Sequence, residues 1–500
     1  MLRKVQILLK TVQGAGIFLS VAIAVAVNLT TCTRAVKHYE PTWESLGQHS
    51  TPEWFQDAKF GIYFHWGVYS VPAFGNEWYP RRMYIEEETR GGANYFTYHQ
   101  ENFGDHKEFG YKDFIPMFKA EKFDADEWAE LFMKAGARFA GPVAEHHDGF
   151  AMWDSDLTEW DAADMGPNRD IVGEMAEAVR KRGLKLVTSF HHAFNWKYYE
   201  PSYTGDYDTK DPKYSGLYPP PHEPGAPESE EFLKDWEAKV KEVIDKYQPD
   251  YLWFDFGWRE PTFEEYKKSL LAYYYNKAEE RGEEVVVTYK DEDLPAGVAV
   301  LDLERGRLDT LSKDKWITDT SVDRRSWCYI KNPDYKSVNT LVDNLVDRVS
   351  KNGNLLLNIG PKPDGTIPEE QKELLLGIGK WLDVNGEAIY GTRPWVIYGE
   401  GPTKMQGGGF SEREEVLYTA SDIRFTVKGN ALYAICLDWP GEQVTIESLS
   451  RLEEANINSI KLLGIDKELE WSLAKEGLTI KTPDEKPCEN AYTFRITLEG

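Results

Sequence analysis

Between about residues 55 and 385 the chain alternates short apolar runs with longer segments whose apolar positions recur at helical spacing. Eight runs read as strands: 60–66, 139–145, 184–190, 251–256, 285–290, 298–304, 316–321 and 354–360. Several are apolar at consecutive positions, as strands covered on both faces require. Helical patterns fill most of the gaps, at 124–136, 170–183, 229–246, 262–281, 336–350 and 368–384. Asp124 with Glu127 makes a capping box and Gly136 a stop, and Asp170 and Gly183 bracket the next helix in the same way. The connections after the fifth and sixth runs are too short for full helices. This pattern predicts an α/β chain, an irregular (β/α)8 TIM-like barrel. Connections of about forty residues follow the first and third strands, a length that in a compact domain usually serves a site.

Beyond GTRPW (391–395) the period changes to two, with turn pairs between runs such as DIRFTVKGNALYAICLDWP (422–440), and predicts a C-terminal β-sandwich. The chain then divides into a leader at 1–26, a linker at 27–50, the barrel at 51–390 and the sandwich at 391–500. The leader carries Arg3, Lys4 and Lys10, no acid, and the apolar stretch GAGIFLSVAIAVAV, the form of an export signal. That form predicts a secreted or periplasmic protein. A membrane-anchored or lipoprotein form is the lesser reading, because the apolar run is short for a span and Leu29-Thr30-Thr31 is a poor setting for lipidation of Cys32.

The formal net charge of −26 sets the chain against nucleic acid and anionic lipid, so neither is expected as a stable partner. Cys328, Cys436 and Cys488 have no metal-type spacing. No cofactor is expected.

Candidate chemistry sits where apolar runs end. Asp255 follows Tyr-Leu-Trp-Phe and lies between Trp253 and Trp258, and aromatic platforms beside an acid suit a sugar ring. An ionised carboxylate there can attack an anomeric carbon; it can equally cap a helix or pair with a base. Glu304, at the end of VAVLDLE, is the first candidate for a second carboxyl, with Asp302 its nearest rival under strand alternation. His65, His146, His147, His191 and His192 account for half of the ten histidines, all at strand ends, with Glu77 and Trp78 in the loop after the first strand. Such groups can clamp ring hydroxyls by both donating and accepting. The rival is a metal-dependent hydrolase using these histidines. Adjacent histidines on a strand face opposite ways and no HExxH spacing is present, so no metal is expected.

The runs KFGIYFHWGVYSVPAFGNEWY (59–79), EHHDGF (145–150), PDYLWFDFGW (249–258), SKNGNLLLNIGPKPDGTIP (350–368) and GEAIYGTRPW (386–395) together resemble the alpha-L-fucosidases of glycoside hydrolase family 29. The resemblance spans about residues 40–440. It implies a retaining exo-glycosidase, without metal, acting on terminal fucose of an oligosaccharide or glycoconjugate by double displacement. It assigns Asp255 as nucleophile and Trp253, His65, Glu77, Trp78, His146 and His147 as sugar contacts. Glu304 in ERG, followed by KWITDTS (315–321) with Trp316, fits the acid/base place of one subgroup. Where other members have a tyrosine after the third strand, this chain has Ser189 or Phe190 and then His191 and His192, either of which is a candidate substitute. The third- and sixth-strand patterns lean toward the branch that prefers α1-3 or α1-4 linked fucose. A fucose-binding protein without turnover, and a hydrolase of a related sugar such as a galactoside, are the remaining readings.

Overall fold

The computed structural model describes residues 37–499, apart from 88, 91, 413–415 and 453–455. The expected leader, and the linker as far as residue 36, lie outside the described residues.

Eight strands close into a parallel barrel: β1 (Phe60–Phe64), β2 (Phe139–Glu145), β3 (Lys185–Phe190), β4 (Tyr251–Phe254), β5 (Val286–Lys290), β6 (Val300–Asp302), β7 (Trp316–Ser321) and β8 (Gly353–Ile359). Each neighbours the next in sequence, and β1 closes the ring on β8 with Phe60 opposite Leu355. All eight predicted runs are barrel strands. Alternation sorts their side chains into two cores. Tyr63, Phe139, Val143, Val187, Tyr251, Trp253, Val286, Val300, Ile317 and Leu356 fill the interior. Ile62, Phe64, Ala140, Leu186, Leu252, Leu355 and Leu357 face outward into the larger core under the helices. The interior is tight enough that a Cβ on Gly61 would fall 2.1 Å from the Phe139 ring. At the N-terminal end Phe55 plugs the barrel, and its carbonyl accepts from Asn354 Nδ2 at 2.7 Å.

Helices α1 (Ala125–Lys134), α2 (Ile171–Lys181), α3 (Glu230–Tyr247), α4 (Glu264–Arg281), α5 (Val338–Ser350) and α6 (Glu369–Asn385) cover the barrel. The Asp124 side chain accepts from Glu127 N and that of Asp170 from Gly173 N, so both helices carry a side-chain N-cap at the expected residue, each worth about 1 kcal/mol. No helix separates β5 from β6 or β6 from β7, and that opening becomes important at the site.

The C-terminal part forms two antiparallel sheets. One has the order β9 (Arg393–Glu400), β10 (Ile423–Lys428), β11 (Ala431–Cys436), β16 (Tyr492–Leu498), β13 (Ile457–Leu462); the other runs β12 (Gln443–Ile446), β15 (Gly477–Lys481), β14 (Trp471–Ala474). They share a core of Phe425, Leu432, Ala434, Val444, Ile446, Leu478 and Phe494. The other face of β11, with Ala431, Tyr433 and Ile435, joins the barrel's outer core. Both faces of the larger sheet are thus buried where it meets the barrel. Among the described residues no helix is long and apolar enough to cross a membrane, and Cys328, Cys436 and Cys488 are free.

Candidate active site

The functional side chains stand one step beyond the strand ends. His65, His191 and Asp255 still donate their backbone N–H groups to the last carbonyls of neighbouring strands, those of Ile359 (3.2 Å), Glu145 (2.9 Å) and Phe190 (3.0 Å). The barrel ladder therefore fixes their backbone while their side chains enter a cavity of about 530 Å³ at the C-terminal mouth. His65, Glu77, Trp78, His146, His147, His191, Trp253, Asp255, Asp302 and Glu304 all line it.

One ammonium organises the acids. Lys290 Nζ, from the end of β5, lies 3.0 Å from Asp255 Oδ1, 2.7 Å from Glu304 Oε2 and 3.5 Å from Asp319 Oδ2. Burial alone would raise the Asp255 carboxyl, but Lys290 and a 3.2 Å contact to His147 Nε2 outweigh it and hold the group well below the usual carboxylate range. Glu304 goes the other way. Burial pushes it up to about 7, against the pull of Lys290 and with the help of Asp319 and Asp255. Two carboxyls sharing one cation are thereby driven apart, one ionised and one able to carry a proton near neutrality. Asp302 has both oxygens engaged, accepting from Trp253 Nε1 at 2.6 Å and from Asp319 N at 3.0 Å. Its part is to hold the Trp253 ring and the β7 backbone, which leaves Glu304 as the carboxyl free to reach a ligand.

The histidines form a connected wall. Asn358 Oδ1 accepts from both the backbone N–H (2.9 Å) and Nδ1 (2.8 Å) of His65, and Asn358 Nδ2 donates to Trp327 O at 2.6 Å, which fixes the amide's orientation. His65 therefore carries its proton on Nδ1. Burial pushes its pKa down to about 3, so Nε2 presents a lone pair, and His191 Nε2 donates to it at 3.2 Å. His147 Nδ1 donates to His191 O at 2.6 Å. The Nδ1 atoms of His146 and His191 are buried without protein partners. His65, His146 and His191 bring one ring nitrogen each within 4.8 Å of one another, a spacing that would also hold an ion of the zinc type. Glu77 is buried, accepts from Trp327 N at 3.0 Å, and is raised chiefly by desolvation.

Residues 26–387 match the family described as alpha-L-fucosidase, and residues 415–497 match the alpha-L-fucosidase C-terminal domain. The chain belongs to the alpha-L-fucosidase family. Tissue alpha-L-fucosidase of Rattus norvegicus is 34% identical, with 93% of each chain covered. That of Homo sapiens is 32% identical, with 92% of each covered. The structure of Thermotoga maritima alpha-fucosidase in complex with fucose superposes with a TM-score of 0.74 at 33% identity, over 92% of this chain and all of that one. The chain is a glycoside hydrolase with the barrel and C-terminal sheets of these fucosidases.

Two expected site residues of this fucosidase lie elsewhere. Trp316 starts β7, at the N-terminal end of the barrel, where its Nε1 donates to Lys351 O at 2.9 Å; it is a packing residue far from the strand ends that make the mouth. His192 turns outward, with its Nε2 3.4 Å from Trp236 O, because consecutive residues leaving β3 diverge. The same rule fails at His146 and His147. The strand has ended at Glu145, the chain turns, and both rings line the cavity with centroids 4.6 Å apart. Sequence reasoning missed Lys290, although it closes the predicted run 285–290. It also missed Asp319, Trp327 and Phe410, of which the last two come from loops with no pattern to mark them.

Proposed function

We propose that the chain is a retaining exo-alpha-L-fucosidase that releases terminal fucose from a glycan or glycoconjugate by double displacement. The observation that carries this is the shared ammonium: Asp255 and Glu304 reach Lys290 Nζ at 3.0 and 2.7 Å. Their nearest oxygens are therefore no farther apart than those two lengths end to end. That limit suits the spacing of about 5–5.5 Å used by retaining enzymes and falls short of the about 6.5–9.5 Å that leaves room for a water in inverting ones.

In this reading Asp255, held ionised, attacks C1 of the fucosyl unit while Glu304 gives its proton to the departing glycosidic oxygen. Glu304, now a carboxylate, then takes a proton from water as that water attacks C1, Asp255 leaves as carboxylate, and fucose departs with its configuration kept. A group poised at about 7 can do both jobs. His65, His146, His147, His191 and Glu77 present donors and acceptors to the ring hydroxyls. Trp253 and Trp78 supply apolar surface beside them. The buried histidine wall closes the inner end of the cavity, which supports action on a chain end. Linkage preference, leaning to α1-3 or α1-4, rests on the sequence pattern around His191 and Glu304. Fucose release from α1-2, α1-3, α1-4 and α1-6 linked oligosaccharides tests both substrate and linkage; release of galactose instead would overturn the sugar assignment.

The histidine triangle favours one second reading, a metal-dependent hydrolase. Loss of turnover on exhaustive chelation, restored by zinc, would support it; the hydrogen bond between His65 and His191 already satisfies one nitrogen of each ring without an ion.

A further inference from the structure

Resting on the fucosidase reading, we propose that Phe410, carried from the C-terminal part to the barrel mouth, is the platform on which the leaving sugar stacks. If Glu304 protonates the glycosidic oxygen, the departing unit must extend past Glu304, away from Asp255. What stands there is the segment 407–412, between β9 and β10. It is bonded along its length to the stretch after β6, with one antiparallel bridge between Gly408 and Arg307. Gly408 N donates to Arg307 O (2.8 Å) and Arg307 N to Gly408 O (3.3 Å). Phe410 N donates to Glu304 O (2.7 Å) and Glu412 N to Arg305 O (3.0 Å). The missing helices around β6 leave the opening through which this segment enters.

Phe410 is placed at some cost and used by nothing else. Its φ of +53° lies in the left-handed region that a bulky L residue avoids. Three glycines at 407–409 offer it no side chain to pack on. The residue is 51% exposed, and among the described large apolar residues that are exposed it is the one lining this cavity. The segment is nonetheless anchored at Glu412. The Glu412 carboxylate is buried, bonded to Lys336 Nζ (2.8 Å), Thr320 Oγ1 (2.7 Å) and the Arg348 guanidinium. A strained, anchored, solvent-facing aromatic beside the proton donor is a preorganised surface for the apolar face of a pyranose ring. Phe offers no hydrogen bond, so it would accept the ring face of several sugars and leave linkage to be set by where Glu304 can reach.

The test compares substrates that differ only in the leaving group, fucosyl fluoride and a fucosyl disaccharide, in the wild-type chain and in Phe410→Ala. The expected result is that the ratio of kcat/KM for disaccharide to that for fluoride falls about tenfold, mainly through KM, and that Phe410→Tyr restores it. A ratio unmoved by Phe410→Ala, or one that Phe410→Tyr fails to restore, would overturn the proposal. Failure of the fucosidase reading is separately visible, since the wild-type chain would then cleave neither substrate. In that event calorimetry with the disaccharide and with free fucose still reads Phe410: an affinity advantage of the disaccharide that Phe410→Ala removes supports the platform, and no such advantage overturns it.

Discussion

On the inner side of the cavity His65, His146, His191 and Asp255 leave directly from the ends of β1 to β4, and the backbones of His65, His191 and Asp255 are still in the barrel ladder. On the outer side Glu304 stands two residues past the end of β6, Trp327 comes from the loop after β7, and Phe410 arrives from the C-terminal part. The first side needs only a strand to end in the right residue. The second needs two loops and a third segment to meet where helices are absent. Rigid strand ends suit the sugar whose identity is constant, and assembled loops suit a leaving group that differs from one glycan to the next.

The largest effect that separates the two sides is expected at Asp255, the proposed nucleophile. Asp255→Gly should lower kcat/KM by about 10⁴-fold or more on every fucoside, whatever its leaving group. Equal activity in that variant would remove Asp255 from the chemistry. Glu304→Ala should cost about 10²–10⁴-fold on a disaccharide, and much less on fucosyl fluoride, which leaves without a proton. A uniform loss on both substrates would place Glu304 on the sugar-holding side instead.

Lys290 belongs to both sides. Lys290→Met leaves Asp255 buried without its cation, so a loss of about 3–5 kcal/mol in unfolding free energy is expected by denaturant titration. The pH profile gives a finer reading. Glu304 donates only when protonated, so kcat/KM should fall as pH rises through about 7, while the acid limb, set by Asp255, lies below the ordinary carboxylate range. Lys290 lowers both groups, so in Lys290→Met both limbs should move to higher pH. A basic limb that stays in place would detach it from Glu304. The smallest change is expected for His192→Phe, less than about threefold in kcat/KM, because that ring faces Trp236 and not the cavity.

Legibility in the sequence follows the same division. All eight barrel strands and the caps at Asp124 and Asp170 are written locally, in consecutive apolar runs and in side-chain oxygens three residues before a helical N–H. The strand-end residues are readable because a barrel converts chain position into spatial convergence. Trp316 shows the limit, since a tryptophan in a strand reads alike at either end, and only the barrel's direction says which end is the mouth. His191 with His192 and His146 with His147 show another: beyond a strand end alternation is no longer guaranteed, and the first pair diverges while the second turns both rings into the cavity. Phe410 carries no local signal at all. Its place depends on a buried carboxylate at Glu412 and on a gap between barrel helices more than a hundred residues earlier in the chain.

The proposed chemistry is a double displacement run by Asp255 and Glu304, joined through one lysine. It is tested most directly by proton NMR of the first sugar formed when an α-L-fucoside is hydrolysed, before mutarotation. α-L-Fucose is expected to appear first. Initial release of the β anomer would contradict it.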